Sequence, residues 1–375
     1  MKKLCFVVSS PATAMAFLKG PMQTLSKHYT LHLIVNTKNT APLLEELPLK
    51  EVHVQSIERG INPIKDLNCL ISIVRFLRKQ KFDALHSVSP KAGLMAMLGG
   101  LIANVPLRTH TFTGQVWANK KGIFRLLLKS IDRLIARCAS QVLVDGQSQL
   151  HYLKEHGVVG PTAKVLGKGS ICGVSLTRFS PSDSIREQRR KALKLDKKEW
   201  VFMFLGRLNH DKGVIDLIHA FAQLDQSKKP SSLFLVGHDE EQIKARFQHI
   251  SPKIQFIPFE KKPEELLQAC DSFCLPSYRE GFGLSVIEAS ALEKPIICSD
   301  AYGLADTIVQ GETGLRHTVG EVDQLKQQLN YALNHPKEMR AMGKAGRKYV
   351  EDNFSEKLML EEWESFYKKV LSYKR

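Results

Sequence analysis

Residues 271–300 read DSFCLPSYREGFGLSVIEASALEKPIICSD. DSFCLPS is an apolar run of strand length that exits into a polar loop. GFGLSVIEASAL then turns to a helical pattern, and KPIICSD returns to a strand-like run. Strand, glycine turn, helix and strand in succession form the repeating unit of an α/β sheet. Glu280 stands just before the Gly-Phe-Gly turn, and Glu288 follows eight residues on, inside the helix. Glycines at 281 and 283 let backbone approach a ligand closely, and the free N–H groups of a helix start favour an anion. Carboxylates offer several acceptor sites and suit hydroxyls beside that anion. Glu280 could take one such hydroxyl, and Glu288 could reach a vicinal diol. A turn and a solvated glutamate would explain either carboxylate alone, but the combination points to function.

The same alternation extends in both directions. WVFMFLGRL, SSLFLVG and KIQFIPF read as strands before the quoted stretch. LCFVV, YTLHLIV, EVHVQSI, FDALHSV, PLRTHTF and QVLVDG read as strands in the first half. Helical patterns lie between them, including residues 64–80 and 90–103, the second with Ser89 as N-cap and Pro90 at its first position. Strand–helix alternation implies a mostly parallel, doubly wound sheet, whose ligands gather at the carboxyl ends of its strands. At 375 residues the chain exceeds one ordinary core, so two such domains are expected. Residues 176–200 are polar and charged and read as a linker running into a helix. The expected cleft lies between the two sheets.

Hydrophobic content of 43% and charged content of 25% suit a globular protein. The formal charge of +16 is unevenly spread. Residues 1–175 hold 23 Lys+Arg against 9 Asp+Glu, and the remaining 200 hold 31 against 29. The first half either faces something anionic, such as a membrane surface, nucleic acid or a phosphorylated substrate, or uses its basic residues merely for solubility, and the first reading is favoured. Seven cysteines lack metal or redox spacing, and Cys5, Cys274 and Cys298 sit in strand-like runs as small core hydrophobes. A reduced, cytoplasmic protein follows. The start, MKKLCFVVSSPATAMAF, is shaped like a signal peptide, but its apolar core is too short and suits a buried first strand. No run is long enough to span a bilayer.

A second loop carries cations. In FLGRLNHDKGV, residues 204–214, Arg207 and Lys212 follow a strand and precede a helix, with Asp211 placed to cap it. Arginine can clamp a phosphate through two donors, and lysine adds a mobile charge. LGKGSICG, residues 166–173, is misspaced for a dinucleotide fingerprint. There is no P-loop and no Asp-x-Asp.

GRLNHDKGV, LFLVG, LPSYREGFGLSVIEASALEKPIICSD and GETGL, in this order, resemble the nucleotide-sugar-binding half of the family-4 retaining glycosyltransferases of bacterial surface-polysaccharide type. The match is specific over residues 201–315 and looser before them. The resemblance implies a GT-B fold of two Rossmann-like doubly wound domains facing across a cleft. Residues 1–175 would be the acceptor-binding domain, 176–355 the nucleotide-sugar-binding domain, and 356–375 a helix packing back on the first. It implies that Arg207 and Lys212 hold the donor diphosphate, Glu280 the transferred sugar and Glu288 the ribose hydroxyls. The amides of Gly281, Phe282, Gly283 and Leu284 would contact phosphate and sugar. Gly237 would lie by the base, and Thr313 and Gly314 near the nucleotide. Transfer would retain configuration and require no metal and no cofactor beyond the nucleotide-sugar co-substrate, with uridine diphosphate the favoured carrier. Some positions depart from the family: Thr113 stands where many members have a histidine, and His110 three residues earlier is either structural or cleft-lining. Gly173-Val174-Ser175 and Ala305-Asp306 replace the usual Gly-Val-Asp and Pro-Glu.

On the acceptor side, GQVWANKKGIFRLLLKSIDRLIARC contains Trp117 and a helical pattern. Its apolar positions are Phe124, Leu127, Leu128, Ile131, Leu134, Ile135 and Cys138, and Lys121, Arg125, Lys129, Arg133 and Arg137 recur every fourth residue. Such a helix either packs on a core with a solvated basic face or lies on anionic lipid with Trp117 at the interface. The charge excess favours the inner face of the cytoplasmic membrane, and the resemblance favours a polyprenyl-diphosphate-linked glycan acceptor. Two rivals are a nucleotide-sugar 2-epimerase of similar fold and a nucleic-acid-binding protein. The latter lacks recognition motifs and leaves Glu280 and Glu288 unexplained, so no nucleic-acid partner is expected.

Overall fold

The computed structural model describes residues 1–58, 60, 62–227 and 229–372. The chain forms two compact units: Met1–Gly173 with Glu356–Arg375, and Val174–Ser355. Residues 373–375 of the expected final segment lie outside the described residues.

The first unit has seven strands, β1 (Lys3–Val8), β2 (Thr30–Val35), β3 (Glu51–Val54), β4 (Ala84–Val88), β5 (Leu107–Phe112), β6 (Gln141–Val144) and β7 (Lys164–Val165). They pair in parallel in the order β3-β2-β1-β4-β5-β6-β7. Strands read as apolar runs because helices cover both faces. Cys5 and Val7 enter one core with Ile73, Leu77 and Met95, while Leu4, Phe6 and Val8 enter the other with Met22 and Trp363. That split is the period of two of a strand. The helix Glu356–Ser372 closes the second face, with Trp363 Nε1 donating to the Ile171 carbonyl at 2.8 Å. His86, fully buried on β4, bonds Tyr367 Oη at 2.6 Å and Thr111 Oγ1 at 2.8 Å. Ser89 precedes the helix Pro90–Ile102 but does not cap it. Its φ is +78° and its hydroxyl lies 3.2 Å from that of Ser9.

The second unit has six parallel strands, β8 (Trp200–Leu205), β9 (Ser231–Val236), β10 (Ile254–Ile257), β11 (Ser272–Leu275), β12 (Ile296–Ser299) and β13 (Gly314–His317). Their order is β10-β9-β8-β11-β12-β13, so successive connections leave β8 in opposite directions. The switch point lies between β8 and β11, where open α/β sheets bind ligands. The expected linker at 176–200 is instead part of this unit. Ser182 caps the helix Asp183–Ala192, and Arg186 and Arg190 bind Asp271 at 2.5 and 3.1 Å. The polar composition that suggested a linker is used in these ion pairs.

Candidate active site

Two loops leave the switch point, one after β8 and one after β11. Beyond Gly206 the first runs through Arg207 to a single 3₁₀ turn, His210–Lys212, and then to the helix Val214–Ala222. Asn209, not Asp211, caps that turn, its side chain accepting from the Lys212 N–H at 3.1 Å. Asp211 pairs with Arg279 of the second loop at 2.8 Å, and its carbonyl accepts from the Tyr278 N–H at 2.9 Å. Tyr278 Oη donates to Asp216 at 2.8 Å, and its ring stacks on His210 at 4.8 Å. At Gly213, with φ +68°, a Cβ would stand 1.9 Å from the Pro276 carbonyl oxygen. The glycine lets the two loops touch.

This frame joins Lys212 and Glu280, residues 68 apart in sequence, in a direct ion pair. The side chains are only 18% and 11% exposed, and Ser277 Oγ also donates to Glu280 at 2.9 Å. Ser277 is held in turn through its carbonyl, which accepts from Ser299 Oγ of β12 at 2.5 Å. Arg207 pairs separately with Glu240 at 3.0 Å, and Asn209 donates to the same carboxylate at 2.7 Å. Burial pushes Glu240 up, but hydrogen bonds from Asn209 and Arg207 outweigh it and leave the carboxyl below its ordinary range. Glu240, Ser277, Tyr278 and Arg279 escaped the sequence reading. A polar residue next to a strand exit was their only signal.

The glycine turn is shaped by its packing. Gly283 has φ +79° just before the helix Leu284–Ala291, a conformation few other residues adopt. The Phe282 ring is in the core, 5.1 Å from Phe354, so this residue offers a ligand its backbone alone. Among the described residues, the N–H groups of Gly281, Phe282 and Gly283 meet no backbone carbonyl. Gly237, with φ +141°, ends β9 against Gly206, whose carbonyl oxygen would lie 1.8 Å from a Cβ. Glu288 is half-buried. Burial pushes its carboxyl up to about 7, against the pull of Arg178 and with the push of Glu264. These two neighbours pair with each other at 2.8 Å.

Other expected site residues are committed elsewhere. Thr313 is 4% exposed, and its hydroxyl accepts from the Val309 N–H at 2.8 Å. Gly314 opens β13 against the Ile296 carbonyl, which would lie 2.7 Å from a Cβ. Their sequence signal is that of a tight turn into a strand. His110 is enclosed on β5, its Nδ1 2.8 Å from Ser87 Oγ and its ring against Gly93, so it belongs to the core and not to a ligand surface. Burial holds it near a pKa of about 3, hence neutral. Thr113, just beyond β5, is half-buried.

The basic helix spans Gly122–Cys138. The expectation that Trp117 faces an interface is overturned. Trp117 is 1% exposed, and its N–H donates to buried Asp132 at 2.7 Å. Burial pushes that carboxyl to about 7. Arg125 and Lys129 lie over the indole at 5.7 and 5.6 Å. Arg133 donates to the carbonyls of Gly157 and His156, so it serves the fold, whereas Lys121 is exposed. The single apolar face divides in two. Ile135 and Cys138 are buried, Leu128 and Ile131 half-buried, and Phe124, Leu127 and Leu134 exposed with Ile123 and Leu126. Among the described residues no helix is long and apolar enough to cross a membrane.

Residues 185–349 match the family model for glycosyl transferases group 1. Over 98% of this chain and 97% of its relative, 27% of residues are identical to a Staphylococcus aureus capsular polysaccharide biosynthesis glycosyltransferase, CapM. Identity is 26% to an Escherichia coli protein named UDP-Gal:alpha-D-GlcNAc-diphosphoundecaprenol alpha-1,3-galactosyltransferase, over 74% of this chain and 73% of that one. Among solved structures, Anabaena HepE in complex with UDP-glucose aligns with a TM-score of 0.81 and 18% identity, covering 98% of this chain and 100% of that one, which establishes likeness of fold. Two Rossmann-type sheets, a polar site at the second sheet's switch point and a group 1 domain over that sheet all agree: the chain is a glycosyltransferase of GT-B fold.

Proposed function

We propose that this enzyme is a family-4, retaining, metal-independent glycosyltransferase that moves a sugar from a UDP-sugar to a polyprenyl-diphosphate-linked glycan during surface-polysaccharide assembly. The observation that carries the proposal is the Lys212–Glu280 pair beside the Gly-Phe-Gly turn, whose N–H groups meet no backbone carbonyl among the described residues. An ammonium and a row of N–H groups suit the departing diphosphate, and stabilising charge on that leaving group is the main catalytic task. A phosphate oxygen would draw Lys212 from Glu280 and free the carboxylate to accept a sugar hydroxyl. Arg207, on the same loop as Lys212, would exchange Glu240 for phosphate, and Glu288 would bind the ribose diol. The positive field comes from side chains and a helix start, so no metal is needed. Relatives named for undecaprenyl-diphosphate-linked substrates support the acceptor class. The exposed apolar and basic residues of the helix Gly122–Cys138 support work at the inner, anionic face of the membrane.

Nucleotide sugars are to be screened with and without a mixture of lipid-linked acceptors. Transfer from a UDP-sugar in the presence of EDTA is expected. Glu280→Ala and Lys212→Ala should each lower turnover roughly 100-fold or more, with unchanged circular dichroism. Wild-type turnover in both variants defeats the site assignment, and conversion of donor without acceptor would indicate the epimerase.

A further inference from the structure

The first unit carries a cluster of ligating side chains on its edge strand β3 and the neighbouring β2. In the parallel register His32 of β2 lies beside Glu51 of β3, and Ile34 beside His53. Residues 51 and 53 are two apart on one strand and share a face of the sheet. Three ligating atoms therefore converge. His32 Nδ1 and His53 Nε2 are 3.4 Å apart, Glu51 Oε2 is 3.3 Å from His53 Nε2, and it is 3.9 Å from His32 Nδ1. These distances close a triangle whose centre lies about 2.1 Å from each corner, the length of a zinc–nitrogen or zinc–oxygen bond.

We propose that His32, Glu51 and His53 form a binding site for a divalent transition ion of the zinc class, clipping edge strand β3 to β2. Two imidazoles and a carboxylate are a borderline donor set that favours zinc over calcium or magnesium, and three protein ligands leave a position for water. The surroundings fix both rings. His53 packs on Phe76 at 3.9 Å between centroids, and His32 meets the edge of Phe82 at 5.0 Å. His32 is 2% exposed, whereas Glu51 is open to solvent and leaves a path for entry. Lys3 and Lys50 add positive charge nearby, and Glu51 opposes it. The clip is structural and supplies no step of sugar transfer.

The test uses the full chain, stripped with EDTA and dialysed. Zinc ion alone is titrated by calorimetry, thermal melting is followed in parallel, and cobalt serves as a visible-absorption probe. One ion per chain and a higher melting temperature with zinc are expected. Glu51→Gln and His53→Ala, both at positions with solvent access, should bind roughly 10- to 100-fold more weakly while keeping wild-type circular dichroism. The proposal is overturned by the absence of a stoichiometric site, or by equal affinity in wild type and both variants. In either case the three side chains are only a hydrogen-bonded cluster.

Discussion

Glu288 illustrates what burial does to a single carboxyl. Its neighbours Arg178 and Glu264 pull in opposite directions, and desolvation dominates both. The folded value, about 7, exceeds the ordinary 4.5. The folded state therefore holds the proton more tightly than the unfolded one, so this contribution to stability is complete below about pH 4.5 and lost as pH rises through 7. The full loss is bounded at ~3 kcal/mol, and the partial exposure of the side chain reduces it. Glu288→Gln cannot ionise. Its melting temperature should rise relative to wild type at pH 8, and the gap should close toward pH 4.5. A gap independent of pH would show that Glu288 ionises freely in the folded protein. In the proposed donor site the ionised carboxylate accepts the ribose hydroxyls, so the same variant should weaken UDP binding at pH 8.

At the scale of the element, the helix Gly122–Cys138 separates two roles that its sequence merges. Leucine and isoleucine fill one broad face, so periodicity alone does not reveal which of its residues meet the core. Burial assigns Ile135 and Cys138 to packing and leaves Ile123 at 85% and Leu126 at 62% exposure. Replacing these two by serine removes little buried area and should leave the melting temperature within about 2 °C of wild type, as for most surface substitutions. Partition onto anionic vesicles should fall several-fold, because each exposed side chain would otherwise enter the headgroup boundary. Undiminished partition would remove this helix from the membrane reading. The strands show what can be read from a sequence and why. β1, β4, β8 and β11 are covered on both faces and stand out as apolar runs, whereas β7 has two residues and β13 reads GLRH, too short or too polar to register. At the site, Lys212 and Glu280 were visible as residue types at strand exits. Their pairing was not, because it depends on Gly213 fitting against Pro276. The burial of Trp117 is hidden for a related reason: its partner Asp132 lies fifteen residues on, where sequence shows only an acid in a basic helix.

Over the whole molecule, charge divides along the same line as structure. Residues 1–173 and 356–375 hold 28 Lys+Arg against 13 Asp+Glu, while residues 174–355 hold 26 against 25. The neutral unit carries the proposed nucleotide site, whose cations are already matched by Glu280 and Glu240. The basic unit carries the exposed helix, and its surplus acts through solvent, where salt screens it. Raising sodium chloride from 0.1 M to 1 M shortens the screening length from ~10 to ~3 Å. Attraction to anionic lipid, of order 1 kcal/mol for each basic residue at the surface, should then largely disappear. Sedimentation with anionic vesicles is therefore expected to drop at least ~10-fold over this range. The rise in melting temperature on adding UDP should fall less, because a part-buried ion pair is screened less than exposed charge. A random oligonucleotide should show the same salt sensitivity as the vesicles but no competition with UDP. If vesicle binding survives 1 M salt, the exposed Ile123 and Leu126 side chains hold the protein to lipid and the charge division serves another partner. If binding to vesicles and to UDP fall together, the two anions share one site, and the basic unit has no separate surface for lipid.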